Sequence, residues 1–210
     1  MIRIAIVDDH AVVRAGLRQF LADQPDFAVI GEAANGREAL DIVRQGEVDV
    51  ILLDIAMPGQ NGVDALAAIR ARAPALAVLI LSGHDEAHYA TTLLRLGASG
   101  YLNKHCDPDE LVKAVRTVSR GRKYITASVA ERLAEGLASG EAGPAHEQLS
   151  ERELQIFLRL AQGETIGTIA ETLSLSVKTV STYRSRVMEK MQLASNSDLT
   201  YYALKSGLIQ

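Results

Sequence analysis

The chain has no tryptophan, one cysteine, five prolines and only nine aromatic residues among 210. With Cys106 alone, an internal disulfide is excluded, and a reducing compartment is the natural setting. The sequence also lacks any apolar run near the length of a membrane span. The first such run, Ile2–Val7, stops at Asp8 and Asp9 and carries no secretory cleavage pattern. A cytoplasmic protein without membrane contact is the expectation. What is present is a hydrophobic fraction of 48% at a mean hydropathy of +0.07, which suits soluble cores at a length fitting two domains.

An excess of positive charge is missing as well, since the net charge is −4. Taken alone that argues against a nucleic-acid partner, but the distribution is uneven. Residues 1–124 carry 14 basic and 16 acidic side chains, residues 125–148 carry 1 and 4, and residues 149–210 carry 7 and 6. Within the last segment, Ser176 to Lys190 holds Lys178, Arg184, Arg186 and Lys190 against Glu189 alone. A basic stripe of this kind on one helix is either a solvated face or an electrostatic footprint for phosphates.

Up to about residue 122, short apolar runs alternate with longer helical patterns. Ile2–Val7, Phe27–Gly31, Val48–Leu53, Ala77–Leu81 and Gly100–Leu102 read as strands. Three of them are apolar nearly throughout, as in a parallel sheet covered on both faces. Helices are expected over Ala11–Ala22, Gly36–Gln45, Asn61–Arg72, Asp85–Leu96 and Pro108–Arg120, the last opened by Asp107 before Pro108. Strict alternation implies a doubly wound α/β sheet, with its ligand beyond the carboxyl ends of the strands. A helix over Ala127–Leu137 leads into a linker from Ala138 to Ala145, rich in small residues, glycine and proline. Order resumes at Ser150-Glu151-Arg152-Glu153, a capping box, followed by helical patterns over Thr165–Leu173, Val177–Met191 and Asn196–Lys205. Leu173-Ser174-Leu175-Ser176 reads as the turn of a helix-turn-helix. The domains are thus expected at 1–122, 123–148 as a linker with a helix, and 149–210, a small all-α domain.

Residues able to do chemistry sit at strand ends. Asp8 and Asp9 follow the first strand, Asp54 ends the third, Ser82 the fourth, and Lys104 follows the fifth. Any one of these is most simply a cap or a solvated turn residue. Together they form a set above one sheet edge. Clustered carboxylates repel one another, and a hard divalent cation such as Mg²⁺ relieves the repulsion. A carboxylate so placed can attack phosphorus to give an aspartyl phosphate, with the cation and Lys104 offsetting the charge of the transferring group.

Residues 1–122 resemble the receiver domain of bacterial response regulators, which is flavodoxin-like. The motifs are Val7-Asp8-Asp9-His10, Asp54-Ile55-Ala56-Met57-Pro58-Gly59-Gln60-Asn61-Gly62, Leu81-Ser82-Gly83, Gly97-Ala98-Ser99-Gly100-Tyr101-Leu102 and Lys104. Leu149-Ser150-Glu151-Arg152-Glu153-Leu154 and Leu173-Ser174-Leu175-Ser176-Val177-Lys178-Thr179-Val180 are similar to the LuxR-type helix-turn-helix. The whole chain therefore resembles the NarL/FixJ family of two-component regulators.

That resemblance implies Asp54 as phosphoacceptor from a sensor histidine kinase, with Mg²⁺ bound directly by Asp9, through water by Asp8, and by Asp54 and the backbone carbonyl of Ala56. It implies that Ser82 moves towards the phosphoryl group beside Lys104, and that Tyr101 follows by turning inward. The helix from Val177 becomes the recognition helix in the major groove. On it, Val177, Val180, Val187 and Met191 are expected to pack inward. Ser181, Thr182 and Ser185 would face bases, and Lys178, Thr179, Arg184 and Arg186 would lie at the DNA, the charged residues on phosphates. Leu199, Tyr202, Ala203 and Leu204 resemble the family's dimer-forming helix, so an active homodimer on two half-sites is expected, with RNA polymerase as a further contact. One departure is Ile166-Gly167-Thr168-Ile169-Ala170, where relatives place Asn-Lys-Glu-Ile-Ala. A basic residue is missing there, and glycine costs about 1 kcal/mol against alanine in a helix.

Other readings weaken on particular residues. A dehalogenase-type phosphatase needs a second aspartate two residues after the nucleophile, and Ala56 stands there, so no enzyme is expected. His84 and His88 are four apart, but no cysteine or third histidine lies near in sequence to complete a metal module. Cys106 beside Lys104 and His105 is a lone thiol. A regulator of the same domains worked by protein contacts alone would not need the acidic set.

Overall fold

The computed structural model describes every residue except 56, 58–61, 84, 85, 132, 133, 135–143, 207 and 210. It divides into two compact units, Met1–Ala130 and Glu131–Gln210. In the first, β1 (Ile2–Val7), α1 (Ala11–Ala22), β2 (Phe27–Ala33), α2 (Gly36–Gln45), β3 (Val50–Asp54), α3 (Gly62–Arg72), β4 (Ala77–Ser82), α4 (Glu86–Arg95), β5 (Gly100–Asn103) and α5 (Pro108–Val118) follow in order. The strands pair in parallel in the order β2-β1-β3-β4-β5. This is the doubly wound sheet that the alternating pattern requires.

The unbroken apolar strands are the buried ones. Every residue of β3 and β4 is buried, as are the last four of β1. On one face Ile4, Ile6, Leu52, Leu79, Leu81 and Leu102 pack against Leu111 and Val115 of α5 and Leu21 of α1. Local signals start and stop the helices. Asn35 accepts from Glu38 N at 3.0 Å to open α2, and Gly46 closes it in the left-handed region, φ +73°. Asp107 accepts from Asp109 N at 2.8 Å with Pro108 in the first turn of α5.

Chain order continues past residue 122. Tyr124 N donates to Ser99 O at 2.9 Å, and its hydroxyl donates to Glu110 Oε1 at 3.0 Å. A Cβ on Gly100 would stand 2.9 Å from the Tyr124 carbonyl oxygen, so only glycine lets this segment lie against β5. Residues 127–131 and 134 of the expected Ala127–Leu137 helix are helical, and the rest of it lies outside the described residues, with most of the expected linker.

The second unit holds a short 3-10 turn (Ala145–Gln148) and helices α6 (Glu151–Ala161), α7 (Ile166–Thr172), α8 (Val177–Met191) and α9 (Asn196–Lys205). The expected capping box is formed, with Ser150 N donating to Glu153 Oε2 at 2.8 Å. Between α7 and α8 the turn passes through Ser174 at φ +53°, with Leu175 N returning to Ala170 O at 2.8 Å. A side chain in that left-handed conformation costs about 1 kcal/mol, which the helix-to-helix turn imposes. Ser176 then caps α8, accepting from Thr179 N at 3.0 Å.

Candidate functional site

In the order β2-β1-β3 the chain leaves the sheet in opposite directions from β1 and β3, so a crevice opens at their carboxyl ends. Asp8 and Asp9 follow β1, and Asp54 is the last residue of β3. Asp8 is 2% exposed and Asp54 1%. Lys104 reaches them from β5, anchored by its own N–H on Ser82 O at 2.8 Å. Its Nζ stands 2.6 Å from Asp8 Oδ2 and 2.8 Å from Asp54 Oδ2. Burial alone would lower the lysine pKa, but the hydrogen bonds and charges of Asp54 and Asp8 outweigh it and raise it, so the ammonium stays charged.

One ammonium does not balance this pocket. Two buried carboxylates share Lys104, and Asp9 adds a third. Asp9 Oδ1 is buried and receives no hydrogen bond, although His10 Nδ1 approaches it to 2.9 Å. Ligand atoms of Asp8, Asp9, His10 and Asp54 all lie within 4.8 Å of one another. An oxygen-rich cluster with an orphaned carboxylate oxygen and surplus negative charge fits a hard divalent cation.

Two residues in this pocket had no role in the sequence reading. The His10 backbone N–H donates to Asp8 Oδ1 at 2.8 Å, and Arg14 Nη1 donates to the Asp8 carbonyl at 2.6 Å, so Asp8 is fixed from the residue before α1 and from its first turn. The spacing of Asp8 and Arg14, six apart across a strand end and a helix start, was the available signal. Gly62 opens α3 as its motif suggested, and its N–H donates to Ile55 O at 3.1 Å. A Cβ there would lie 2.3 Å from Ile55 Cα and 2.4 Å from Asp54 O. Glycine therefore lets α3 start directly against the Asp54 backbone.

Ser82 is fully buried at the end of β4. Pairing of Ile80 with Tyr101 and Ser82 with Asn103 puts Tyr101 on the same sheet face as Ser82. The inward turn expected of Tyr101 is already its position here, at 1% exposure. The Ala56 carbonyl and His84 lie outside the described residues.

On α8, Val180, Val187 and Met191 are buried, but Val177 is 57% exposed, contrary to expectation. Its place in the first turn, one residue after the cap, leaves it no helix to pack against. Lys178, Thr182, Ser185 and Arg186 are exposed, and Thr179, Ser181 and Arg184 are half-buried. The basic stripe is smaller than its sequence count. Lys190 Nζ lies 2.6 Å from Glu153 Oε2, and Arg184 Nε donates to Asn196 Oδ1 at 2.9 Å, so both are tied to neighbouring helices. Lys178 and Arg186 remain in water, Arg186 stacked 5.8 Å over the Tyr183 ring. The hydroxyls of Ser181, Thr182 and Ser185 donate to carbonyls four residues back, at 2.9, 3.0 and 3.1 Å. With that donor engaged, each offers an incoming base an acceptor oxygen, and Thr182 a methyl group.

The last helix requires a correction. Leu199 and Ala203, expected to form a dimer surface, are fully buried, and Tyr202 packs inward. The Tyr202 hydroxyl stands 2.9 Å from His146 Nδ1, and its ring meets Phe157 edge-on at 6.2 Å. These residues share the face of α9 that covers α6. Leu204 is 50% exposed, as expected of a free surface, and joins Tyr201 at 68%.

Comparison with known proteins agrees with both halves of this description. Residues 4–116 match the response regulator receiver domain, and residues 147–203 match the bacterial regulatory proteins of the luxR family. The chain is 38% identical to the response regulator UvrY of Escherichia coli K12 over 99% of its length and 96% of that protein. It is 35% identical to the response regulator GacA of Pseudomonas aeruginosa over 100% and 98%. Among solved structures, RcsB of Salmonella enterica serovar Typhimurium, bound to the promoter P1flhDC with the phosphomimetic BeF3-, superposes with a TM-score of 0.74 at 26% identity, over 96% of this chain and 97% of that one. No helix among the described residues is long and apolar enough to cross a membrane. With a carboxylate pocket on a doubly wound sheet and a helix-turn-helix later in sequence, the chain belongs to the NarL/FixJ-family response regulators, phosphorylation-dependent transcription regulators that join a receiver domain to a LuxR-type DNA-binding domain.

Proposed function

We propose that Asp54 is the phosphoacceptor of this regulator and that its acyl phosphate sets the affinity of α8 for DNA. The observation that carries the reading is Lys104 Nζ held between Asp54 and Asp8 at the switch point of the sheet. In the transfer, an Asp54 carboxylate oxygen forms the new bond to phosphorus while the bond to the donor nitrogen of a sensor kinase histidine breaks. Lys104 then exchanges its contact with Asp54 for one with the phosphoryl oxygens. Asp8, Asp9 and Asp54 would hold Mg²⁺, with the Ala56 carbonyl expected from the family pattern as a further ligand, and the bound cation would supply charge neutralisation for phosphoryl transfer. Ser82 donates to the phosphoryl group, and Tyr101, already inward, is held there behind it, which fixes the surface presented by α4 and β5.

Residues 1–122 form the input, 123–148 the connection and 149–210 the output. Thr182, Ser181 and Ser185 meet base edges, while Lys178, Arg186 and the helix N-terminus at Thr179 meet phosphates. Arg184 reaches a phosphate only by giving up Asn196. The active form is a cytoplasmic homodimer on paired half-sites, joined through Tyr201 and Leu204 of α9 rather than the buried Leu199 and Ala203. RNA polymerase is met from the DNA-bound dimer. No catalytic turnover beyond the switch is assigned.

Fluorescence anisotropy on a DNA fragment selected by the protein tests the reading. Incubation with Mg²⁺ and a small acyl-phosphate donor should tighten binding by roughly 5- to 150-fold, the usual span of an allosteric coupling. Asp54→Ala should bind with the weaker affinity under both conditions. Equal tightening of that variant would overturn the assignment.

A further inference from the structure

We infer that the end of α5 and the turn after it form a second phosphate-binding surface, which takes the backbone of the DNA held by the C-terminal unit. The inference rests on DNA binding by α8 and asks what else contacts that DNA. Between residues 111 and 130 the chain carries Lys113, Arg116, Arg120, Arg122 and Lys123 and no acidic residue, in a protein of net charge −4. Two of the five are committed. Arg116 is bound to Asp26 at 2.8 Å, and Lys123 donates to the Ala98 carbonyl. Lys113, Arg120 and Arg122 are exposed and have no ion pair among the described residues.

These three cations share one surface. Lys113, Thr117 and Arg122 line both of two adjoining open clefts, of about 420 and 470 Å³, and Arg120 lines the second. Lys113 and Arg120 are seven residues apart, about 10 Å along α5 and its exit. The acids lining the clefts are Asp109 and Glu110, one helical turn before Lys113, and Glu110 already accepts from the Tyr124 hydroxyl. An open, two-lobed, cation-lined groove suits an extended polyanion better than a small enclosed ligand.

The choice of DNA follows from what the output unit lacks. Residues 149–210 hold only seven basic side chains. Arg159 is buried against Glu164, Lys190 is bound to Glu153, and Arg184 to Asn196. The helix before the turn, α7, carries no lysine or arginine. Few free cations therefore remain on this unit, while DNA gripped by α8 is present at high effective concentration to any basic surface on the same chain.

The full-length protein is titrated onto a 40-base-pair random-sequence duplex over a salt series, as parent, as Lys113→Gln/Arg120→Gln/Arg122→Gln, and as Lys178→Ala. Loss of three phosphate contacts should lower the slope of log K against log salt by about 2 to 3 and weaken binding roughly tenfold at moderate salt. The variant Lys113→Arg/Arg120→Lys/Arg122→Lys, which keeps the charge, should bind like the parent. Unchanged slope in the triple variant, with Lys178→Ala weakened, would overturn the second surface and leave α8 in place. No loss in Lys178→Ala would instead strike the reading on which the inference rests. Unaltered DNA binding together with slower phosphorylation by a histidine kinase would assign the patch to an acidic protein partner and overturn the DNA contact.

Discussion

Lys104 and Gly62 show how much of the pocket depends on single residues. Lys104 contacts both Asp8 and Asp54, and both carboxylates are almost wholly buried. Lys104→Met should cost on the order of 3 kcal/mol, because it removes the ammonium that two buried carboxylates share. Millimolar Mg²⁺ should recover part of that loss, since a cation replaces the missing charge. Urea unfolding with Mg²⁺ and with a chelator measures both effects; an equal loss in the two conditions would speak against a cation site. Gly62→Ala acts through shape instead. Its Cβ would meet backbone atoms of Asp54 and Ile55, which cannot swing aside as a side chain can. A loss of about 2–4 kcal/mol in the same experiment is expected, with slower phosphorylation of the folded fraction.

At the scale of the helices, the capping box at the start of α6 is also a tie to α8. Burial by itself pushes the Glu153 carboxyl up, but Lys190 and the Ser150 N–H and hydroxyl together hold it below the usual glutamate value. A depressed folded-state pKa adds stability above the unfolded value, near 4.3, that is lost as pH falls through the folded value. Glu153→Gln should therefore be less stable than the parent at pH 7, by about 1 kcal/mol, with the gap closing below pH 4. Thermal unfolding across pH checks the sign. On α8 itself, Lys178→Ala should weaken binding to every DNA, and Thr182→Ala should mainly change preference among sequences. Equal losses at both positions on all fragments would refute that division.

The elements were legible in sequence because their signals are local: apolar runs for the strands, caps and glycine for the helices. The pocket was legible because parallel alternation dictates where strand ends meet. Orientation and pairing were less so. Val177 fits the apolar face of α8 by period, yet the helix begins there with no neighbour. Lys190 and Arg184 look like free cations until Glu153 and Asn196 arrive from other helices. Leu199 and Ala203 carry no mark distinguishing an internal apolar face from a dimer face, and burial decided between them.

Across the whole molecule, two units of different architecture divide sensing from reading. The receiver unit carries the carboxylates, the lysine that answers them and a basic surface at its end. The output unit spends most of its charge on internal ties, which leaves α8 with few cations and makes its affinity easy to tune by another part of the chain. Everything downstream depends on whether Asp54 is modified. The direct measurement is the intact mass of the protein after incubation with Mg²⁺ and a small acyl-phosphate donor, in the parent and in Asp54→Ala. The account predicts a gain of one phosphoryl group in the parent, reversed by hydroxylamine as an acyl phosphate must be, and none in the variant. No gain in the parent, or a gain that survives the substitution, would contradict it.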